Sequence, residues 1–147
     1  MQKEQDFYKI FQPELSPKKM LELGVFGGSY LGNTLDEYPK SWFKKAKLSK
    51  LFDVNLNYFQ IKAGLSLSEW KKKGWIMDED PRGWFQWYCR FQMGRRIPKI
   101  DKIQIMRWSA FGPRHIGGIK KNCPKKFFSC RKKQRQALLQ WAYNPFF

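Results

Sequence analysis

The only histidine and all three cysteines of this chain lie in its second half: Cys89, His115, Cys123 and Cys130. Thiolate and imidazole donors make structural zinc sites, and zinc is the one cofactor these four residues suggest. Their spacing contains no C-x₂₋₄-C pair, the usual nucleus of such a site. Cys89 falls inside a helical pattern, where a free cysteine is commonly a small buried hydrophobe. Cys123 and Cys130 flank a short loop beside Lys120, Lys121 and Arg131. Those cations lower a thiol pKa, so a redox pair or reactive thiol is the competing expectation.

Glu22, Asp36, Glu37, Asp78, Glu79 and Asp80 are the carboxylates placed where catalysis could use them, and Glu22 and Asp80 are the candidates. Asp78, Glu79 and Asp80 also read as the cap of a following helix, which is the more economical role. The stretch Gly24-Val25-Phe26-Gly27-Gly28-Ser29-Tyr30-Leu31-Gly32 lets a ligand approach bare backbone. It is not G-x-x-x-x-G-K-[ST], and turn formation alone accounts for its glycines. There is no H-E-x-x-H and no G-x-S-x-G, and one histidine limits triad schemes.

Basic residues carry the stronger signal. The chain has 147 residues and a formal net charge of +17. Residues 81–147 hold 16 Lys or Arg and one acid, Asp101, while residues 1–80 hold 13 against 11. All eight arginines, Arg82, Arg90, Arg95, Arg96, Arg107, Arg114, Arg131 and Arg135, lie in the second part. The guanidinium fork matches phosphates and guanine edges, whereas Lys acts as a point charge. A charge this lopsided repels itself unless a polyanion neutralises it. An aromatic fraction of 18% excludes a disordered basic tail.

Local signals then supply the elements that must position these side chains. Ser16-Pro17 opens a helix with Met20, Leu21 and Leu23 inward, and Gly24 ends it. Ser41 caps a second through Lys47. Residues 51–64 read as a strand or an irregular connection. Ser66 with Glu69 forms a capping box for a helix that stops at Gly74. Asp80-Pro81 starts a helix over 80–93, closed by Gly94. In it Trp84, Trp87, Tyr88 and Phe91 share a face. That stripe leaves Arg82, Gln86 and Arg90 on a shared polar face, able to lie along a phosphate backbone or enter a groove. Pro98 starts another helix, with Ile100, Ile103, Met106 and Trp108 buried, broken at Gly112-Pro113. Ser129 caps the last, from Arg131 to Tyr143, whose opening Arg131-Lys132-Lys133-Gln134-Arg135 places cations where the helix dipole disfavours them. A bound phosphate relieves that mismatch.

The predicted fold is therefore all-α: a single basic helical domain over 15–147, of five to six short helices with an irregular glycine-rich N-terminal part, preceded by an extension over 1–14. No run is apolar enough to span a membrane. Met1–Asp6 shows no secretory leader, and three cysteines fit a reducing intracellular setting (cytoplasm, nucleus or nucleoid) without a disulfide framework.

The block Gly74-Trp75-Ile76-Met77-Asp78-Glu79-Asp80-Pro81-Arg82-Gly83-Trp84-Phe85-Gln86-Trp87-Tyr88-Cys89-Arg90, followed by Gly94-Arg95-Arg96, is distinctive. So is the block from Cys130 to Tyr143. Both resemble a family of short microbial and fungal proteins of unassigned function, over most of the chain from about Leu15 onward. The resemblance implies no activity.

The residues themselves point to a nucleic-acid-binding domain with DNA the preferred partner. Arg82, Arg90, Arg95, Arg96, Arg107, Arg114, Arg131, Lys132, Lys133 and Arg135 are the expected phosphate contacts, and Gln86 and Gln134 the expected base readers. The alternative is a base-excision glycosylase or nuclease. It would use Asp80 or Glu22 in a glycine-lined pocket, with a flipped base stacked on Trp75 or Trp84.

Overall fold

The computed structural model describes residues 7–64 and 67–147. Among the described residues six α-helices follow one another: α1 (Phe7–Ile10), α2 (Pro17–Glu22), α3 (Leu67–Lys72), α4 (Trp84–Gln92), α5 (Pro98–Asn122) and α6 (Lys132–Gln140). Three short 3₁₀ turns, Leu35–Glu37, Lys40–Phe43 and Val54–Leu56, lie between α2 and α3. The described residues contain no strand beyond an isolated bridge between Met77 and Asp80. The expected all-α class is thus the observed one, in one compact domain.

Local capping accounts for most of the helix ends. The Ser16 hydroxyl accepts the Lys19 N–H, and Pro17 occupies the first turn, as the sequence predicts. Gly24 ends α2 in a Schellman arrangement: its N–H donates to Leu21 and the Val25 N–H to Met20. The residue must be glycine, since φ is +61° and an added Cβ would lie 2.1 Å from the Leu56 carbonyl oxygen. Gly94 closes α4 and Gly74 closes α3 with the same pair of bonds. Ser66, the expected cap of α3, lies outside the described residues.

Other boundaries differ from expectation. The Ser41 helix is only the turn Lys40–Phe43, entered from Pro39. Helix α4 begins at Trp84 behind Gly83, not at Pro81, because Asp80 turns inward to bind arginines instead of capping. Ser129 does not cap α6; Arg131, in the left-handed region, precedes it. Gly112-Pro113 does not break α5, which runs 25 residues through the proline. Gly112 instead admits the Tyr143 ring, which lies 2.2 Å from where a Cβ would sit. Ile103 and Met106 point to solvent, since the apolar face of α5 is carried by Ile100, Ile105 and Trp108.

Helix α4 is the axis of the core. It is buried nearly all round, from Trp84 to Cys89 and again at Phe91. The Phe11 ring packs among Trp84, Trp87, Tyr88, Phe91 and Trp108 at centroid distances of 5.0–6.2 Å. Phe7 and Phe11 are both core residues. The opposite side of α4 meets the glycine-rich stretch, where Phe26 and Tyr30 pack on Phe85. Asp101, the one acid of the basic half, is spent inside this core. Its carboxylate accepts from Trp87 Nε1 (2.8 Å), the Tyr8 hydroxyl (2.7 Å) and the Ile97 N–H (2.9 Å). Burial and that carboxylate push the Tyr8 hydroxyl up to about 12.

Candidate nucleic-acid interface

A cationic rim forms where α5 ends and α6 begins. Lys120 and Lys121 lie in the last turn of α5, and the 123–131 connection carries Lys125 and Lys126. Arg131, Lys132 and Lys133 open α6, and all seven side chains are exposed. Cys123 and Cys130 are joined by a disulfide, with their Cα atoms 5.9 Å apart. The bridge pins the two ends of the connection together and so holds the cations of both helix ends around one loop. None of the seven has an ion-pair partner among the described residues. No acidic residue follows Asp101 in the sequence.

That disulfide overturns the zinc expectation and the expectation of unpaired thiols. Cys123 and Cys130 are bonded to each other and cannot offer two thiolates to a metal. Cys89 lies fully buried on α4, where desolvation raises its thiol well above the usual value. His115 stacks on Phe111 at 4.2 Å and faces Gln134 Nε2 at 3.5 Å. Burial, and then the charge of Arg114, lower its pKa. Among the described residues no group of three or more His, Cys, Asp or Glu is arranged to hold a metal ion.

Several expected phosphate contacts are structural clamps. Arg135 is 0% exposed. Its guanidinium donates to the carbonyls of Cys130 (2.7 Å), Pro145 (2.5 Å), Phe147 (3.2 Å) and Phe127 (3.3 Å). The rings of Phe128 and Phe147 flank it at 5.4 and 5.5 Å. Arg135 therefore ties the disulfide loop to the C-terminal residues from inside. Helical spacing with Leu138, Leu139 and Ala142 was the available signal that it belongs to the buried face.

The predicted polar face of α4 does not exist as a surface. Gln86 is buried and accepts the Arg82 N–H at 2.9 Å, so it cannot read bases. Arg82 donates to the Tyr30 carbonyl at 3.0 Å. Arg90 bridges Glu37 (2.8 Å) and Asp80 (2.9 Å), and Arg95 also reaches Asp80 (2.7 Å). These pairs hold Glu37 below its usual carboxylate range, chiefly through the hydrogen bonds from Arg90. Arg96 stacks on the Phe91 ring at 3.6 Å. Arg107 donates to the Trp75 carbonyl at 2.7 Å and lies over its ring. Of the expected contacts, Arg114, Arg131, Lys132 and Lys133 remain exposed and unengaged, with Arg96 exposed but stacked. Gln134 is half-buried beside His115.

The expected catalytic carboxylates do not meet the glycine-lined cavity. Asp80 is 0% exposed and clamped by two arginines. A cavity of about 540 Å³ does open beside the glycine-rich stretch, but neither Asp80 nor Glu22 lines it. Trp84 is buried in the core and cannot receive a base, while Trp75 is exposed, with Lys73 and Arg107 at 5.1 and 5.8 Å from its ring.

Set against family models, curated proteins and solved structures, the chain matches none. No helix among the described residues is long and apolar enough to cross a membrane.

Proposed function

We propose that the protein binds nucleic acid, with duplex DNA the partner, by gripping backbone phosphates with the rim at residues 120–133. The observation that carries the reading is seven exposed cations around one disulfide-closed loop, with no acid among them to neutralise them. The N-terminus of α6 supports it, because no side chain caps its first N–H groups and the residues there are cationic. Phosphate contacts position a protein on a duplex without reading sequence. With Gln86 buried and Gln134 turned to His115, the reading is of sequence-independent binding. The described residues form no strand to serve as a stacking platform for splayed RNA bases, which favours DNA.

A salt titration on duplex DNA tests this. With about six phosphate contacts, log K should fall against log salt with a slope near −5. Scrambling the DNA sequence should leave the affinity unchanged. A flat dependence, or no binding at low salt, overturns the proposal.

A further inference from the structure

The cavity beside the glycine-rich stretch has a chemistry of its own. Its walls are mostly apolar, made chiefly by Met20, Leu21, Val25, Phe26, Leu31 and Leu35. The far wall is the segment 47–50, which is pinned in place by main-chain bonds. Lys47 N–H donates to Leu21 (3.1 Å) and Ser49 N–H to Gly28 (3.0 Å), while Asp53 N–H donates to Gly27 (3.0 Å). Ser49 Oγ adds a bond to the Gly27 carbonyl at 3.1 Å. The cavity is thus preformed, at about 540 Å³, a size that accepts a small organic ligand.

What the walls withhold narrows the ligand. The Tyr30 hydroxyl is already engaged by the Arg82 carbonyl and the Gln86 N–H. The N–H groups of Gly24, Gly27 and Gly32 and the carbonyls of Gly24, Gly27 and Gly28 are taken up by neighbouring turns and by the 47–53 segment. Asn33 and Ser49 are the other uncharged polar side chains on the wall, too few for the many polar groups of a sugar or a nucleobase, most of which would be left unpaired at a cost. The body of the ligand must therefore be apolar. Charge enters only at the rim, where Lys47 and Lys50 are exposed and without an ion-pair partner among the described residues, and no acid lines the cavity. Leu48 and Leu51 continue the apolar surface outward from the same rim, Leu51 at 80% exposure.

We propose that this cavity binds a fatty-acid carboxylate, its chain along the Met20–Leu35 wall and its head at Lys47 and Lys50. The site is separate from the 120–133 rim and does not depend on nucleic-acid binding. Calorimetric titration of the full chain with monomeric octanoate, decanoate and laurate tests it. One saturable site is expected, weakening about fourfold for each methylene removed. Dodecyltrimethylammonium, with the same chain and opposite head, should bind at least about tenfold more weakly than laurate. The double variant Lys47→Glu/Lys50→Glu should weaken laurate by at least about tenfold, while Lys99→Glu/Lys102→Glu, of equal charge change, should leave it unaltered. That pair separates the site from general attraction to a basic protein. Leu35→Trp should fill the cavity and abolish binding. Leu48→Asp, at an exposed position that does not endanger folding, should do the same by placing an anion at the mouth. Laurate binding that survives both of these variants, that is spread over several weak sites, or that is absent overturns the proposal. So does equal affinity for the two head groups.

Discussion

The hydroxyl of Tyr143 donates to the carbonyl of Trp108, one turn before Pro113 in α5. Burial pushes this hydroxyl up to about 12, against a smaller lowering from the Gly112 backbone. Pro113 removes the donor for the Ser109 carbonyl, and Tyr143 binds the carbonyl next to it, while the rings of Trp108 and Tyr143 stack at 4.8 Å. Tyr143→Phe should cost about 1–2 kcal/mol in urea unfolding, since the buried carbonyl loses a partner. Gly112→Ala should cost more, about 3 kcal/mol, because the methyl collides with the ring.

Ala142 reaches Tyr143 through a left-handed residue with φ of 62°. The Schellman bonds from Ala142 to Leu139 and from Tyr143 to Leu138 require that conformation. Ala142→Gly should therefore raise the melting midpoint, by up to about 1 kcal/mol of stability. An unchanged or lower midpoint would show that the methyl's packing outweighs the backbone strain.

Arg135 should behave as a core residue. Arg135→Lys should cost about 3 kcal/mol, because one ammonium cannot reach four carbonyls. Measured where the variant is folded, its salt slope on DNA should equal the parent's. Lys132→Ala should instead leave stability nearly unchanged and make the slope shallower by about one.

Asp80 holds two arginines, so Asp80→Asn should cost about 3 kcal/mol even though Asn is a good helix cap. The neighbouring Glu37 sets an acid limb. Its folded pKa is depressed below the ordinary 4.5, so its stabilisation is present above that value and is lost as pH falls through the folded pKa. Glu37→Gln should flatten stability against pH on the acid side and leave the neutral range with a small offset.

Reducing the Cys123–Cys130 bridge, which spans a sequence separation of 7, should cost about 2 kcal/mol by the loop-entropy account. It should also weaken DNA binding, as the cations of the two helix ends lose their common anchor. Equal DNA affinity in the oxidised and reduced forms would separate the rim from the disulfide.

What the sequence alone determined is what acts within a few residues. The Ser16-Pro17 start and the glycine stops at 24, 74 and 94 follow from hydrogen bonds closed inside one turn, and the structure places them as read. The aromatic stripe of α4 and the segregation of all eight arginines into the second half are equally direct readings of the sequence. Tertiary structure decided which charges stay free. Arg90 meets Glu37 across 53 residues, and Arg82 meets Tyr30 across 52. Gln86 is hidden by the glycine-rich stretch, and Asp80 leaves its capping position for two arginines. Pro113 sits inside α5, and Tyr143, thirty positions on, packs against Gly112 and donates to the Trp108 carbonyl there. A side chain's partner at such separation depends on how the elements pack, and helical periodicity holds no record of it. The candidate phosphate contacts therefore reduce from a whole basic half to the few cations that packing leaves in water.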